Sequence, residues 1–291
     1  MNSLGRYGLW ATWRVWPTGA EAIAEAAREV EALGFGAVWI GGSPGDDLGL
    51  AEAVLTATGS LVVGTSIVDI WTSDGEQLAA SHERIRRAHP GRFYLGVGSG
   101  HARTAEARGQ SYTRPLSRLR DLLTGPLAAV PSEERMIAAL GPKTLAAAAE
   151  LTAGALPYLM PPAHTAAARG ILGPGTLLVP EQKVFLGDDP VQARAAGRQA
   201  LRGYLTLPNY TRQLVRYGLD ESDLAGEGSD RFVDSAVVWG DASRVRAGVD
   251  AHLSAGADHV AVNVLTESGM PTELPLPEWR RLADVLGLVS R

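Results

Sequence analysis

The sequence contains no cysteine, and its 291 residues include only four phenylalanines and four methionines. A chain without cysteine has no disulfide, no zinc–thiolate or iron–sulfur site and no cysteine nucleophile. Long apolar runs are also missing, since no window approaches the ~18 uninterrupted apolar residues of a membrane-spanning helix. The N-terminus lacks the basic segment followed by an apolar segment that marks a signal peptide. These absences predict a cytoplasmic protein with no membrane partner.

An excess of basic residues is lacking as well. The 27 Lys and Arg residues are outnumbered by 32 Asp and Glu residues, which gives a formal net charge of −5. Surfaces that bind nucleic acids are usually basic, so we expect no nucleic-acid partner. The six histidines form no His-x-x-x-His pair and the carboxylates are scattered, so no metal site is predicted. The first predicted strand is not followed by Gly-x-Gly-x-x-Gly, which argues against a Rossmann dinucleotide site.

Short apolar or β-branched runs bounded by glycine alternate along the chain with amphipathic segments. Strands are predicted at 7–11, 37–41, 61–69, 93–97, 136–140, 155–160, 183–186 and 259–265. Helices are predicted between Thr18, as part of a capping box with Glu21, and Gly34, and at 46–58, 76–88, 115–127, 143–151, 163–172, 190–205, 241–254 and 278–286. This α/β pattern predicts one domain, 1–291, folded as a (β/α)8 TIM barrel with a helical insertion at 206–235 before the eighth strand.

The chemistry of such barrels lies at the carboxyl ends of the strands, and the fourth predicted strand ends in Gly98, Ser99, Gly100 and His101. Glycines let the backbone approach a ligand closely, although a flexible turn would have the same composition. His101 is a candidate acid–base group or cofactor contact because imidazole titrates near neutral pH. A lone histidine is otherwise an ordinary surface residue.

Two further strand ends carry candidate residues. Asp69 and Trp71 follow the third strand, where they could hydrogen-bond to and stack on a planar ring, unless Trp71 simply fills the core. Gly141 and Pro142 start a helix after the fifth strand. The free backbone N–H groups at such a helix start suit a phosphate, and the same pattern is typical of any helix start.

Tryptophan is more frequent than phenylalanine, with seven residues against four. Trp10, Trp13 and Trp16 crowd the end of the first strand. Three indoles at one barrel mouth indicate a pocket for a flat ligand, and hydrophobic packing of a lid is the alternative.

Taken together, these strand ends resemble the luciferase-like oxidoreductase superfamily, barrel flavoenzymes that include coenzyme F-420-dependent reductases and bacterial luciferase. The matching segments lie at 33–40, 64–71, 90–98, 139–145 with 150–155, and 256–260. The Pro-Gly-Arg-Phe-Tyr-Leu-Gly-Val-Gly run at 90–98 is the most specific of them. The similarity is closest to actinobacterial-type members that use the deazaflavin coenzyme F-420.

The resemblance implies a bound flavin or deazaflavin at the barrel mouth, with Trp10 and the fourth-strand glycines among its contacts. The ring is held against a bulge in the third strand, here Ser66, Ile67 and Val68, often with a non-proline cis peptide that would match Ser66–Ile67. The cofactor phosphate would lie at Gly141 and Pro142 and at the end of the sixth strand. The residues at that end are Tyr158, Leu159 and Met160.

This chain also departs from the family pattern. Many relatives carry Asp-His at the end of the second strand, with that histidine as proton donor, where this sequence has Gly42 and Ser43. Some reductases carry Glu where this chain has His101. A family lysine near the phosphate aligns with Pro161, which leaves backbone N–H groups to bind the phosphate, with His164 or Lys143 as cationic help. The ionisable candidates left for catalysis are Asp69 and His101.

The resemblance favours an oxidoreductase that transfers hydride between coenzyme F-420 and a small organic substrate. An FMN-dependent luciferase-like monooxygenase is the alternative, and a non-catalytic flavin carrier is a third hypothesis. The family also implies a homodimer formed through the predicted helices at 46–58 and 76–88.

Overall fold

Residues 4–106 and 109–288, the part of the chain that the computed structural model describes, form a parallel β-barrel wrapped by α-helices. The strands are β1 Tyr7–Thr12, β2 Ala37–Gly41, β3 Val62–Thr65, β4 Val68–Asp69, β5 Phe93–Gly98, β6 Arg135–Ile137, β7 Gly154–Ala155, β8 Leu177–Leu178, β9 Glu181–Phe185, β10 Val237–Trp239 and β11 Val260–Leu265. The helices are α1 Ala20–Ala32, α2 Gly49–Ala57, α3 Gly75–Ala88, α4 Ala102–Glu106, α5 Pro115–Thr124, α6 Pro142–Leu151, α7 Pro162–Leu172, α8 Pro190–Leu201, α9 Pro208–Arg216, α10 Asp230–Ala236, α11 Ala242–Ser254 and α12 Leu276–Leu286.

The sheet closes through the chain segment that contains β8 and β9. β8 pairs with β7, and β9 pairs with β11, which in turn pairs with β1. Two further backbone hydrogen bonds support this closure. The Glu181 N–H donates to the Pro157 carbonyl at 2.9 Å, and the Ala261 N–H donates to the Pro180 carbonyl at 3.0 Å. The predicted TIM barrel is therefore confirmed.

Local sequence chemistry explains where several helices begin and end. The Asp74, Asp189 and Asp241 carboxylates accept hydrogen bonds from backbone N–H groups in the first turns of α3, α8 and α11, which supplies partners for otherwise unsatisfied donors. Gly34 follows α1 at a φ of +85°, a left-handed conformation that glycine adopts without steric cost. The predicted capping box at Thr18 is wrong, because α1 begins after Gly19 and has no side-chain cap.

Four predicted strands differ from the structure by more than one residue. The third is split into β3 and β4, and the fifth and sixth end at Ile137 and Ala155, before the apolar runs that predicted them end. The strand predicted at 183–186 is β9, which begins two residues earlier. Beyond β7, the Leu156 N–H still donates to the Ile137 carbonyl at 2.8 Å, whereas Met160 is buried by packing. The insertion contains α9 and α10 as predicted, followed by β10, an extra strand beside β9.

Side chains from the strands fill the barrel interior. Trp39, Tyr94 and Met136 belong to a buried cluster that contains no helix residue, whereas a larger cluster joins the outer strand faces to the surrounding helices. A Cβ atom at Gly64 would lie 2.3 Å from the Trp39 ring, so glycine is needed there to admit the indole. This packed interior supports the loops at the carboxyl ends of the strands.

Candidate active site

A cavity of about 420 Å³ opens at the carboxyl ends of the strands. Residues at or just after the ends of β1 to β7 surround it, together with two tyrosines from the region of α8 and α9. Its lining consists of Trp10, Trp13, Arg14, Gly42, Ser43, Ser66, Ile67, Asp69, Thr72, Gly100, His101, Thr104, Ala138, Leu156, Tyr158, Tyr204 and Tyr210.

The structure brings half of the predicted site residues to this cavity. Those that line it are Trp10, Ser66, Ile67, Asp69, Gly100, His101 and Tyr158. Those that do not line it are Val68, Gly98, Ser99, Gly141, Pro142, Leu159 and Met160.

The third strand is interrupted where the resemblance implied a bulge. The peptide bond between Ser66 and Ile67 is cis, as expected from that resemblance. Both residues face the cavity, while Val68 in β4 is fully buried. The sequence therefore identified the position at which the barrel wall bends toward the cavity.

Asp69 and His101 lie on the same side of the cavity. The buried Asp69 carboxylate accepts the Trp71 backbone N–H at 2.9 Å, and the Asp69 N–H donates to Ser43 Oγ at 2.9 Å. Burial lowers the pKa of His101, and the nearby Asp69 charge offsets only part of that effect. His101 is therefore uncharged at neutral pH. Its Nδ1 is buried without a hydrogen-bond partner among the described residues.

The fourth-strand glycines are required by the protein itself. A Cβ atom at Gly98 would lie 2.9 Å from Ile67 Cγ1, and one at Gly100 would lie 2.1 Å from Asp69 Oδ2. Gly100 also has a φ of +50°, which disfavours side chains. The two glycines thus let the Ile67 and Asp69 side chains sit against β5 and the loop after it, and Gly100 also lines the cavity.

Trp71 and Ser99 form part of the wall behind the cavity. Trp71 Nε1 donates to the Ser99 carbonyl at 2.9 Å, and the indole is packed between Tyr112 and Arg118. Trp71 therefore fills the core, which was the alternative to a stacking role.

The three N-terminal tryptophans have different environments. Trp10 and Trp13 line the cavity, and Trp13 Nε1 donates to the Gly42 carbonyl at 2.9 Å. The Arg14 guanidinium lies 4.6 Å from the centre of the Trp13 ring. Trp16 is buried away from this cavity, so two indoles rather than three form the flat wall.

Sequence reasoning missed the contribution of the insertion to the site. The Tyr204 hydroxyl donates to the Tyr158 hydroxyl at 3.1 Å, and the Tyr204 and Tyr210 rings are 5.1 Å apart. Leu159 and Met160 pack into the hydrophobic cluster beneath this region instead of facing the cavity. Tyr210 is an aromatic residue within the polar insertion, whereas Tyr204 lies at the end of the helix predicted at 190–205.

The predicted phosphate region lies beside the cavity, at the starts of α6 and α7. Gly141 and Pro161 precede these helices, and neither helix has a side-chain cap. His164 Nε2 donates to the Leu140 carbonyl at 2.8 Å, which holds the two helix starts together. Burial lowers the pKa of His164, which disfavours the charged form that would assist phosphate binding. Lys143 is exposed.

Residues 41–45 match the Gly-x-Ser-x-Gly pattern of serine hydrolases. Ser43 has a φ of +55°, as nucleophile turns do. Its Oγ accepts the Asp69 N–H and lies 3.3 Å from Thr72 Oγ1, and no described imidazole is hydrogen-bonded to it. Ser43 therefore supports the Asp69 backbone, and a hydrolase triad is not formed.

Within residues 4–106 and 109–288, no group of three His, Asp or Glu side chains is placed to hold a metal ion. The same residues include no helix that is long and apolar enough to cross a membrane.

Residues 6–134 match the family model described as luciferase-like monooxygenase. The resemblance to luciferase-like proteins is confirmed. A coenzyme F-420-dependent secondary alcohol dehydrogenase with an F-420–acetone adduct is similar over 100% of both chains, with 15% identity and a TM-score of 0.68. The coenzyme F-420-dependent tetrahydromethanopterin reductase from Methanopyrus kandleri covers 98% of this chain and 99% of its own, with 15% identity and a TM-score of 0.68.

A luciferase-like fold is also found in an FMN-bound neighbour. The oxygenating constituent of 3,6-diketocamphane monooxygenase from Pseudomonas putida, crystallised with FMN, matches over 97% of both chains with 13% identity and a TM-score of 0.70. At these identities the similarity establishes the luciferase-like barrel alone. No curated protein matches the sequence.

Proposed function

We propose that this protein is a coenzyme F-420-dependent oxidoreductase that moves hydride between the deazaflavin and a small organic substrate at the barrel mouth. The observation that carries the proposal is the cavity at the break between β3 and β4, which Ser66 and Ile67 line on one side and flat aromatic side chains line on the others. The neighbours that bind coenzyme F-420 share this fold over their whole length.

The residues present fit the ring of such a cofactor. The cavity volume of about 420 Å³ lies in the range typical of small-molecule sites. Trp10 Nε1 is buried without a hydrogen-bond partner among the described residues, so a ring carbonyl would satisfy its N–H group. Ile67 and Tyr158 provide apolar contacts on the wall of the same cavity.

The phosphate would be held by backbone groups. The uncapped first turns of α6 and α7 offer free N–H donors and the positive ends of two helix dipoles. No buried cation is needed for this arrangement, which accommodates Pro161 in place of the family lysine.

Bound deazaflavin would supply the hydride chemistry, and the protein would supply orientation and hydrogen bonds. Asp69, fixed by the Trp71 and Ser43 contacts, would position the ring. His101, neutral at the cavity wall, would donate or accept a hydrogen bond without adding charge.

Titration of the cofactor-free protein with coenzyme F-420 and, separately, with FMN tests the proposal. We expect coenzyme F-420 to bind at least about tenfold more tightly, a difference of about 1.4 kcal/mol. Tighter binding of FMN would instead favour the FMN-dependent monooxygenase. Oxidation of the reduced deazaflavin by an added acceptor would exclude a non-catalytic carrier, and binding of neither cofactor would contradict the proposal.

A further inference from the structure

Three tyrosines from distant parts of the chain meet at one wall of the cavity. Tyr158 follows β7, Tyr204 follows α8, and Tyr210 lies in α9. Their ring centres are separated by 5.5 Å between Tyr158 and Tyr204 and by 6.4 Å between Tyr158 and Tyr210. Burial raises the pKa of Tyr204 to about 12 and raises the pKa values of Tyr158 and Tyr210 well above their usual range. All three hydroxyl groups therefore keep their hydrogens at neutral pH.

The hydroxyl pair of Tyr158 and Tyr204 has one hydrogen to spare. Two hydroxyls carry two hydrogens, and the bond from Tyr204 to Tyr158 uses one of them. No other described side chain accepts the hydrogen of Tyr158. Since both residues line the cavity, the unused donor is available to a molecule bound there.

The buried Lys183–Glu181 ion pair packs against the Tyr158 ring. Lys183 Nζ lies 4.0 Å from the centre of that ring and 2.7 Å from Glu181 Oε1. Asn263 Nδ2 donates to the same carboxylate oxygen at 2.8 Å. Both charged side chains are at most 3% exposed, and a buried charge is tolerated only when it is fully partnered.

The same carboxylate also holds the backbone next to Tyr158. Glu181 Oε2 accepts the Leu159 N–H at 3.3 Å, and Leu159 has a φ of +61°. Tyr158 is thus held through its ring by Lys183 and through the following peptide by Glu181. A donor that is fixed before the substrate arrives stabilises developing charge without reorganisation.

We propose that the Tyr158 hydroxyl, supported by Tyr204, donates to the carbonyl oxygen of the substrate and supplies the proton for its reduction. This inference rests on the proposed function and identifies the substrate class as carbonyl compounds. Bound reduced deazaflavin would supply a hydride to the carbonyl carbon and would itself be oxidised. As the C=O π bond breaks, the carbonyl oxygen would take the Tyr158 proton to give an alcohol, and the resulting tyrosinate would regain a proton from solvent through Tyr204.

Two matched ligands test the donor without turnover. Cyclohexanone and methylenecyclohexane have similar shapes, but only the ketone accepts a hydrogen bond. We expect calorimetry on the protein with oxidised coenzyme F-420 to show about tenfold tighter binding of the ketone, the size of one neutral hydrogen bond. Tyr158→Phe keeps the ring over Lys183, and we expect it to abolish this preference while leaving methylenecyclohexane binding unchanged.

Tyr204→Phe should reduce the preference, because Tyr158 then loses the neighbour that orients its hydroxyl. Tyr7→Phe is the control, since it removes a tyrosine hydroxyl bonded to Asp250 at the opposite end of β1, and it should retain the full preference. Equal binding of the two ligands by the unmodified protein, no binding of the ketone, or a ketone preference retained in Tyr158→Phe would overturn the proposal. Equal weakening of both ligands in that variant would show that Tyr158 only shapes the cavity.

The pH profile separates Tyr158 from His101 as proton source. With Tyr158, ketone reduction should stay constant from about pH 6 to pH 9, because no tyrosine of the pair titrates there. With His101, the rate should fall as the pH rises through a pKa below about 6.5, and that result would overturn the assignment. If coenzyme F-420 fails to bind, the proposed function fails, and the ketone preference is then measured on the cofactor-free protein.

Discussion

At the residue scale, the cavity combines one carboxylate with one neutral imidazole. Asp69 is built into the wall, because its carboxylate accepts the Trp71 N–H and fills the space left by Gly100. His101 precedes the short helix α4, and its ring lies 5.8 Å from the Tyr210 ring. Asp69 is thus part of the cavity wall, and His101 lines the cavity beside Tyr210.

These environments predict opposite effects for two substitutions. We expect His101→Ala to lower kcat by about 10–100-fold with little change in cofactor affinity, because it removes a hydrogen-bonding group near the substrate. Asp69→Ala should instead weaken coenzyme F-420 binding by about tenfold or more, because the loop after β4 loses its anchor. Steady-state rates and cofactor titrations of both variants provide the measurement. Unmodified turnover in His101→Ala would exclude His101 from the mechanism.

At the scale of elements, strands bounded by glycine could be predicted almost to the residue. β2 lies at the predicted positions, and β1, β5 and β11 differ by one residue at one end. Parallel strands covered on both faces produce continuous apolar runs that end in turns. β6 and β7 were less predictable, because the apolar residues after Ile137 and Ala155 serve the cavity wall and the insertion core.

The residues of the site could be predicted from the sequence only where they lie at the end of a single strand. Ser66, Ile67, Asp69, Gly100 and His101 follow directly from barrel topology, which places strand ends around one mouth. Tyr204 and Tyr210 reach the same mouth because the segment from the end of α8 through α9 folds over it. That contact depends on tertiary packing between α8, α9 and β7, for which the sequence has no periodic pattern.

The start of α6 provides a prediction about the phosphate. Gly141 has an ordinary φ of −86°, and a Cβ atom there would meet nothing closer than Gln213 Nε2 at 3.8 Å. Gly141→Val should therefore leave the fold intact while blocking the N–H groups of the first turn, weakening binding of coenzyme F-420 by about tenfold or more. Gly59→Val, also in open space but between α2 and β3, is the matched control. Unchanged cofactor affinity in Gly141→Val would show that the cofactor phosphate does not bind at the start of α6.

At the scale of the whole molecule, two buried histidines form hydrogen bonds between segments that are far apart in the sequence. His259 lies 3.0 Å from the Gly5 carbonyl through Nδ1, and its Nε2 accepts Trp39 Nε1–H at 3.1 Å. His252 bridges Thr165 and Gln182 at 2.8 and 2.9 Å. Burial lowers the pKa of each histidine to about 4, and each is neutral in the folded state.

Stability should therefore fall as the solution becomes mildly acidic. The unfolded chain takes up protons on both histidines near pH 6.5, and the folded chain does so only near pH 4. His82 is also buried, and burial lowers its pKa to about 4, so three histidines contribute. The unfolding free energy should drop by about 2–3 kcal/mol between about pH 6.5 and pH 5.5, measured by urea denaturation. His259→Gln, whose amide can make both hydrogen bonds without titrating, should show a drop smaller by about one third. A pH-independent free energy in this window would contradict the prediction.

The last prediction for the whole molecule concerns its oligomeric state. We expect a homodimer formed through α2 and α3, the helices that the family resemblance implies. These helices carry charged surfaces, including the Arg84–Glu52 pair at 3.0 Å, so any such interface is polar at its edge. Sedimentation velocity at micromolar concentration provides the measurement. A single 30.7 kDa species would rule out a stable dimer.

The pairing of β1 with β11 has a consequence for synthesis on the ribosome. Leu9 lies opposite Val262, so the first strand waits for a partner that emerges roughly 250 residues later, or tens of seconds at about 5–20 residues per second. During that time one edge of the nascent sheet is open to pairing with other chains. The cavity also combines early and late residues, because Trp10 lies in the first strand while Tyr204 and Tyr210 are synthesised roughly 200 residues later. A nascent chain that is shorter than this lacks one wall of the cavity.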